Sequence, residues 1–415
     1  MMLWPDSNIQ TSGFTAGQVK PTNRSLIQDE EGGRLPGSRK ESGFAVHIFI
    51  FFMQQTGRFV SLDVLRGLTI FAMIMVNTHG AGISYGFLTH SDWNGCTMAD
   101  LVYPFFLYIV GASMWFSFRK CNHEFTGEII RKIIVRAIVL FAIGIVINNF
   151  PFTAPPATWR IPGILQRTAF VYVLGAILVL SLKDTWKIIV TAALLLIGYW
   201  ILLIVFGNTI EHNPSYNVDV LIFGKEHLYS GYGGHFEPEG LVGSFPSTAN
   251  ALTGYVFSRH LSQLHIENRK PLVLGLSGVV MIALSLLWNT VLPFNKPLWS
   301  SSFALYTCGW ASLIWFILYY LVDIFRLRAI AFPFVVFGSN ALFAYVLSEL
   351  LVVSNWCFGF TIDGHLYHVS QWLDQYVYHP LTSGPMRSAL WGLTVSLFCW
   401  LVNYCLYCKK IYIKV

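Results

Sequence analysis

Charged side chains are scarce in this chain of 415 residues, because Asp, Glu, Lys and Arg together make up only 12% of it. An average soluble domain carries about 25% charged residues. Hydrophobic residues reach 54% and aromatic residues 16%, and the mean hydropathy is +0.55. A soluble fold of this size could not cover its surface with so few charges. The scarcity excludes an ordinary cytoplasmic enzyme, a disordered chain and a nucleic-acid binder.

Cysteine is also sparse, with seven residues that lie mostly within apolar stretches. The odd number and these positions do not indicate a disulfide framework. Cys405-x-x-Cys408 has redox spacing, but it lacks a second pair or a His partner, so we interpret it as a packing pair at a membrane exit. The sequence contains no phosphate-loop, zinc or Rossmann pattern, and we expect no metal.

The polar N-terminal segment differs from the rest of the chain. Residues 1–43 are rich in Gly, Ser, Gln, Glu, Lys and Arg and show no apolar period. We interpret 1–57 as a disordered tail or an expression leader, and 58–415 as one transmembrane domain.

Apolar stretches of about 20 residues, the length needed to cross a bilayer, recur along the remaining chain. We place them near 60–80, 99–118, 130–150, 163–182, 187–206, 241–261, 271–292, 300–322, 332–353 and 388–407. The predicted fold is therefore an all-α polytopic membrane protein, a bundle of about ten transmembrane helices.

The charged connections give these segments a direction. Lys and Arg concentrate in every second connection, at Arg119, Lys120, Arg131, Lys132, Lys183, Lys187, Arg259, Arg269, Lys270, Arg326, Arg328 and in the tail at Lys409, Lys410 and Lys414. The alternate connections hold only Arg160, Lys225, Lys296 and Arg387. By the positive-inside rule both termini are cytoplasmic. The loops around 80–98, 151–162, 207–240, 293–299 and 354–387 then face the periplasm or a lumen.

Ionisable residues at membrane depth are costly and indicate function. Asp63 and Arg66 lie on one face of the first helix, near its cytoplasmic end. They form either a self-neutralising pair or a site at which Arg66 meets an anionic phosphate. Asn77 lies at the outer end of the same helix, and Asp100 begins the next one.

A histidine lies between these two polar positions. His90 beside an acidic residue is the pairing that general-base chemistry requires. A loop His is more often simply solvated, and His79 is an equal candidate on spacing alone. Trp93 and Asn94 offer a stacking face and an amide donor to a sugar.

At this point the residues resemble a known family. The strings are Ser61-Leu62-Asp63-Val64-Leu65-Arg66-Gly67, Val76-Asn77, and His90-Ser91-Asp92-Trp93-Asn94-Gly95-Cys96-Thr97-Met98-Ala99-Asp100 with the residues that follow to Phe106. They resemble the heparan-alpha-glucosaminide N-acetyltransferase family. Weaker matches follow in order at Arg160 to Arg167, Pro238 to Ser244, Asn295 to Ser300 and Pro333 to Tyr345.

The resemblance implies transfer of an acetyl group from cytoplasmic acetyl-CoA to an amine on the far side of the membrane. It places the active histidine at His90, because the His-x-x-Trp-Asn-Gly string aligns without a gap. On the same ground it excludes His79 as the active histidine. Asn77 and Asp100 match family positions close to the acyl group. The orientation derived from charge independently puts His90 on the outer face.

One departure concerns the region before the first helix. The animal enzyme has an extra outer domain and an added span, whereas only a polar segment precedes the core here. The expected setting is therefore a bacterial inner membrane with the active His facing the periplasm. The acceptor is then a periplasmic amino sugar or glycan. Membrane lipid is the other expected partner, nucleic acid is not expected, and a homodimer stays open.

The sequence leaves several roles open. His90 acts as general base with Asp100 orienting it, or as a transient acetyl carrier. Asn77 is a candidate oxyanion donor. Further candidates fall into two groups: Arg66, Asp63, Arg167 and Gln166 for acetyl-CoA, and Trp93, Asn94, Glu239 and Asn340 for substrate. Arg167 could instead pair with Glu239 or Asp100, and Glu239 could merely cap a helix.

Two other classes of protein compete with an acetyltransferase. A secondary transporter of a sugar or small anion would use the polar cluster as its binding site, but transporters often show an internal repeat, and none is seen between the two halves. A structural component of a glycan export machine would not need a His beside an Asp.

Overall fold

The computed structural model describes residues 59–78, 84–232, 236–264 and 269–413, and this part of the chain is mostly helical. Its helices, numbered in chain order, are α1 Val60–Asn77, α2 Met98–Arg119, α3 Gly127–Asn149, α4 Ile164–Leu182, α5 Thr185–Phe206, α6 Ser215–Phe223, α7 Ser244–Gln263, α8 Arg269–Asn289, α9 Ser301–Leu318, α10 Arg328–Ser339, α11 Ala341–Cys357, α12 Val369–Leu373, α13 His379–Leu381 and α14 Pro385–Cys408. One antiparallel hairpin, β1 Phe360–Ile362 and β2 His365–Tyr367, lies between α11 and α12.

The apolar runs form helices because a helix satisfies its backbone polar groups within its own segment, as a lipid environment requires. Among the described residues, seven helices are long and apolar enough to cross a membrane, and an eighth span results if α10 and α11 count as one. These two helices are bent by 75° at Asn340. The all-α polytopic membrane class is thus confirmed, and the predicted span 332–353 is a broken one.

Two further predicted spans form helices of more polar character. α3 is 23 residues long and begins with the charged residues Glu128, Arg131 and Lys132. α7 is 20 residues long and rich in Ser, Thr and Asn. Most of its Ser, Thr and Asn side chains are buried inside the bundle, where Asn250 donates to Thr307 at 2.9 Å. α7 therefore tolerates polar residues because the protein, and not lipid, surrounds it.

Glycines let helices in the bundle touch backbone to backbone. α2 packs along α7, and α10 along α1. A Cβ added to Gly111 of α2 would lie 1.7 Å from the carbonyl oxygen of Ala251, and one added to Gly254 of α7 would lie 2.0 Å from that of Tyr108. The α2–α7 contact is therefore closer than any residue with a side chain allows.

Replacing Gly111 with Ala should destabilise the fold by about 1–3 kcal/mol, since the added methyl forces α2 and α7 apart. Gly198 of α5 is the matched control, because nothing lies within 4 Å of a Cβ built there. Gly198→Ala adds the same methyl to open space and should be neutral or slightly stabilising. Thermal unfolding of the two detergent-solubilised variants measures the difference. Equal melting temperatures would contradict the close contact.

The interhelical loops give the bundle two distinct ends. We call the end where α1 ends and α2 begins the His90 end, and the end where α1 begins and α2 ends the Arg66 end. At the His90 end, backbone N–H groups of Gly95 and Ile161 donate to the carbonyls of Phe294 and His227 at 2.7 and 3.0 Å. Ser84 and Ser388 hydroxyls lie 2.9 Å apart. These contacts bring the predicted outer loops together at the His90 end. The side of the membrane that this end faces stays a prediction.

Candidate active site

The first turn of α2 determines where the acid of the site lies. Thr97 precedes the helix and Asp100 is its third residue, the spacing of a capping box. Asp100 Oδ2 accepts from the Thr97 N–H at 2.9 Å, from the Ser91 N–H at 3.2 Å and from the Ser91 hydroxyl at 3.0 Å. The residue is fully buried. These donors occupy Oδ2, which leaves Oδ1 to point at His90.

His90 is held by that second oxygen. Its Nδ1 lies 2.8 Å from Asp100 Oδ1, and its side chain is 44% exposed. A carboxylate at this distance accepts the Nδ1 proton, so the basic nitrogen of the ring is Nε2. The structure therefore brings together the predicted His and Asp, with the imidazole accessible and the acid behind it.

A lysine that the sequence analysis did not select as a site residue completes this group. Lys296 Nζ lies 3.0 and 3.2 Å from the His90 ring nitrogens and 3.6 Å from Asp100 Oδ1. Burial lowers the pKa of Lys296, and the nearby charges of Asp100 and Glu239 oppose this shift only in part. The only signals in the sequence were its place in a Lys-poor loop and in the Asn295 to Ser300 string.

A short loop fixes the lysine in place. The Asn295 side-chain oxygen accepts from the Leu298 N–H at 2.7 Å, and the Asn295 N–H donates to the Ser300 hydroxyl at 3.1 Å. Asn295 also donates to the Asn94 side-chain oxygen at 3.3 Å. Asn94, predicted as a sugar contact, thus ties the His90 loop to the Lys296 loop in this structure.

Trp93 is anchored within the same end of the bundle. Its indole N–H donates to the carbonyl of Asn208 at 3.3 Å. The ring packs edge-on against Tyr232 and Phe236, with centroid distances of 5.8 and 5.3 Å. This aromatic cluster holds Trp93 by its edges, and the predicted stacking role toward a sugar stays a prediction.

An ionic cluster accompanies the His90 group. Arg160 Nη2 lies 2.5 Å from Glu237 Oε1 and 2.7 Å from Glu239 Oε2, and its guanidinium covers the ring of Tyr229 at 4.6 Å. Burial raises the pKa of Glu237. Burial acts on Glu239 in the same direction, but the charges of Arg160, Arg167 and Lys296 outweigh it and lower its pKa. Glu239 therefore pairs with Arg160 and does not cap α7.

Arg167 and Gln166 are buried in the first turn of α4. Arg167 donates to the carbonyl of Gly240 at 3.0 Å, and its guanidinium lies 5.3 Å from the centre of the Trp299 ring. The hydrogen bond of Arg167 thus goes to a backbone carbonyl, not to a carboxylate of Glu239 or Asp100 as one alternative required. Neither side-chain polar atom of Gln166 has a hydrogen-bond partner among the described residues.

Asn77 has a partner that the sequence analysis missed. Its amide nitrogen lies 2.6 Å from Glu349 Oε1 of α11. The carboxyl accepts from one of the two N–H groups of the amide, and the predicted role of the other as an oxyanion donor stays a prediction. Glu349 went unnoticed because it is one acidic residue within an apolar helix, 272 positions away along the chain.

The remaining predicted residues lie at the Arg66 end. Arg66 donates to Asp63 and to the Ser113 hydroxyl, both at 2.7 Å. A cavity of about 20 Å³, room for about one water molecule, adjoins this pair. Asn340 exchanges hydrogen bonds with the backbone of Ile411 and Ile413 at 3.1 and 2.7 Å. These residues are therefore not brought together with His90. His79, the segment 1–57 and Lys414 lie outside the described residues.

The fold and the site together define a class: a polytopic membrane protein with an accessible His, backed by a buried Asp, at one end of its helix bundle. The chain belongs to the heparan-alpha-glucosaminide N-acetyltransferase family, whose catalytic model matches residues 58–287.

Two relatives match over most of this chain. It is 29% identical over 422 residues to human heparan-alpha-glucosaminide N-acetyltransferase, a match that covers 86% of this chain. It is 28% identical over 425 residues to the mouse enzyme of the same name, with 85% of this chain covered. The match spans 60% of the length of each relative.

Proposed function

We propose that this chain is a transmembrane N-acetyltransferase that moves acetyl from acetyl-CoA to the amine of a terminal amino sugar. The observation that carries the proposal is the 2.8 Å contact between His90 Nδ1 and Asp100 Oδ1. This pair lies inside the region matched by the family model. The pair supplies an accessible base whose tautomer is set by a buried acid.

The chemistry needs a neutral amine and a leaving thiolate. In the direct route, His90 Nε2 removes a proton from the ammonium of the sugar, and the amine attacks the thioester carbonyl. The carbon–sulfur bond then breaks, the imidazolium gives its proton to the departing CoA thiolate, and the remaining extra proton of the new amide nitrogen passes to solvent. In the carrier route, Nε2 attacks the carbonyl first, the carbon–sulfur bond breaks and CoA leaves as the thiolate. The neutral amine then attacks the acetyl-imidazolium, the bond between Nε2 and the acetyl carbon breaks, and the freed Nε2 takes the proton that the amide nitrogen loses.

Lys296 fits either route through its charge. Its Nζ lies 3.0 Å from His90 Nδ1 and 3.6 Å from Asp100 Oδ1, so the ammonium is held beside the reacting imidazole. The same ammonium can stabilise the negative charge that develops on the thioester oxygen.

Replacing Lys296 with Met should lower transfer by about 10²-fold or more, as the loss of one oxyanion donor does. Lys296→Arg keeps the charge and should retain part of the rate. Because burial lowers the Lys296 pKa, the wild-type rate should fall on the alkaline side below the usual lysine value of about 10.4. Arginine stays protonated, so Lys296→Arg should extend the plateau to higher pH. Identical pH–rate profiles for the two proteins would contradict a role for the ammonium.

The two ends of the bundle suit the two substrates. We infer that the His90 end faces the periplasm of a bacterial inner membrane and that the termini are cytoplasmic. Arg66 and Asp63 then lie toward the side from which CoA enters. Gln166 and Arg167 lie at the His90 end, away from the side from which CoA enters, so their position does not suit contacts with the CoA phosphates.

The test is acetyl transfer from labelled acetyl-CoA to glucosamine by the purified protein in liposomes. We expect labelled N-acetylglucosamine outside the vesicles when labelled acetyl-CoA is supplied at the cytoplasmic side of the protein. Sugar flux with no acetylated product would support a transporter instead.

A separate experiment measures which side of the membrane the His90 end faces. Phe87 is half exposed at the His90 end, so Phe87→Cys, in a background without the native exposed cysteines, reports which side that end faces. Labelling only from the cytoplasm would overturn the orientation.

A further inference from the structure

A cavity of about 330 Å³ lies between α3, α4 and the segment that joins α6 to α7. Its walls are almost entirely apolar and include Ile138 and Phe141 of α3 and Phe170 and Val173 of α4. Ile138 is 61% exposed and Phe141 40% exposed on the outside of the bundle. The cavity therefore reaches the surface at a face that the membrane would cover.

One end of this cavity is polar and incompletely satisfied. Gln166, Arg167 and Glu239 line it. Gln166 is 6% exposed. Within the part of the chain that the structure describes, its amide oxygen and amide nitrogen have no hydrogen-bond partner, and neither does Arg167 Nε. An unpaired buried polar group is costly. This end of the cavity therefore calls for a ligand with both donors and acceptors.

The Lys296 loop connects the polar end of the cavity to the proposed active site. Arg167, which lines the cavity, has its guanidinium 5.3 Å from the centre of the Trp299 ring, and the backbone N–H of Trp299 donates to the carbonyl of Lys296 at 3.0 Å. Lys296 Nζ lies 3.0 Å from His90 Nδ1. A polar group held at the polar end of the cavity is thus separated from the reacting histidine by this loop alone.

The depth of the cavity suits a lipid chain. It follows α4 from Gln166 to Val173, seven residues or about 10 Å along the helix axis. One leaflet of a bilayer contributes about 15 Å of hydrocarbon. The cavity thus spans about two thirds of one leaflet, with its polar end at the His90 end and its apolar part within the membrane.

We propose that this cavity receives the hydrocarbon chain of a membrane-anchored amino sugar, whose sugar lies at Gln166 and Glu239 with its amine toward His90. The inference rests on the proposed function and narrows its acceptor from any terminal amino sugar to a lipid-linked one. Gln166 would donate to and accept from sugar hydroxyls, and Glu239 would attract the ammonium before His90 removes its proton.

The test compares methyl, octyl and dodecyl glucosaminides as acceptors, with the protein in nanodiscs. Ala137→Trp fills the cavity, and Val135→Trp, two residues away on an exposed face of the same helix, is the matched control. The readout is the ratio of KM for the methyl acceptor to KM for the dodecyl acceptor. The dodecyl chain of the acceptor partitions into the membrane to the same extent with every variant. A difference in the KM ratio between variants therefore reports on the cavity.

We expect the ratio to be at least about tenfold smaller in Ala137→Trp than in Val135→Trp, the effect of losing contact with about two methylene groups. Equal ratios in the two variants would overturn the proposal while leaving the acetyltransferase function intact. If the wild-type protein transfers acetyl to none of the acceptors, the proposed acetyltransferase function itself is contradicted.

Photolabelling of the wild-type protein tests binding in the cavity directly. It requires neither enzyme activity nor a variant that folds. A dodecyl glucosaminide with a photoreactive group at the chain end should label residues around 137–141 and 170–173. Unlabelled dodecyl glucosaminide should compete better than dodecyl glucoside, which lacks the amine. Labelling spread evenly over the lipid-facing helices, or equal competition by the two lipids, would overturn the proposal.

Discussion

His90→Ala should reduce acetyl transfer to glucosamine by about 10²- to 10⁴-fold, the usual contribution of a positioned acid–base group. The reason is that His90 is the accessible imidazole with a buried carboxylate 2.8 Å behind it. The measurement is initial rate with labelled acetyl-CoA at saturating acceptor. Loss of a catalytic base lowers kcat, whereas loss of a binding contact alone would raise KM.

A second histidine provides the control. His212 is exposed in the loop between α5 and α6, and its side chain makes no catalytic contact in the proposed site. His212→Ala should retain the full rate. Full turnover by His90→Ala would show that the catalytic assignment is wrong.

The same variant separates the two routes. If His90 carries the acetyl group, the wild-type protein should exchange labelled CoA into acetyl-CoA without any acceptor, and His90→Ala should not. If His90 acts only as a base, neither protein should exchange, although the wild type still transfers acetyl. Exchange that persists in His90→Ala would place the carrier at another residue.

Asp100→Asn should lower kcat by about 10²- to 10⁴-fold, although it removes almost no volume. Asp100 Oδ2 accepts from Thr97 and Ser91 donors, so the amide oxygen of Asn would take that position. Its NH₂ would then face His90 Nδ1 and donate to it. The proton of His90 would move to Nε2, and the nitrogen that faces the substrate would no longer be basic. The same substitution in a serine protease costs about 10⁴ in kcat for this reason.

Thr97→Ala distinguishes this tautomer effect from simple loss of a helix cap. It removes the Thr97 hydroxyl, which lies 3.1 Å from Asp100 Oδ2, but leaves the His90–Asp100 contact in place. We expect it to cost about 1 kcal/mol of stability and to keep most of kcat. If Asp100→Asn loses no more activity than Thr97→Ala at equal unfolding, Asp100 does not set the tautomer.

The local sequence predicted the bounds of a membrane span well when one apolar run forms one helix. The predicted segments 99–118 and 163–182 lie within one residue of α2, Met98–Arg119, and α4, Ile164–Leu182. The break at Asn340 was missed because hydropathy averages over the window. The bend depends on contacts between Asn340 and the backbone beyond α14.

The candidate site was predictable to the extent that it is local. His90 and Asp100 lie ten residues apart, and the Thr97-x-x-Asp100 cap that joins them can be read from sequence. Lys296 and Glu349 could not be found in this way. They lie 206 and 272 positions from His90 and Asn77 respectively, and no local pattern reports which loops meet at one end of a bundle.

The sequence alone therefore determined the membrane class and most helix boundaries, because both depend on hydropathy. It also predicted the His–Asp pair, where the family resemblance selected His90 over His79. Only the tertiary structure decided which charges meet. It paired Arg160 with Glu237 and Glu239, placed Lys296 on His90, and left Gln166 unpaired at the end of a cavity. The physical reason is that a buried charge or amide is stabilised by whatever the packing of distant helices brings within about 3 Å, and that packing is a property of the whole chain.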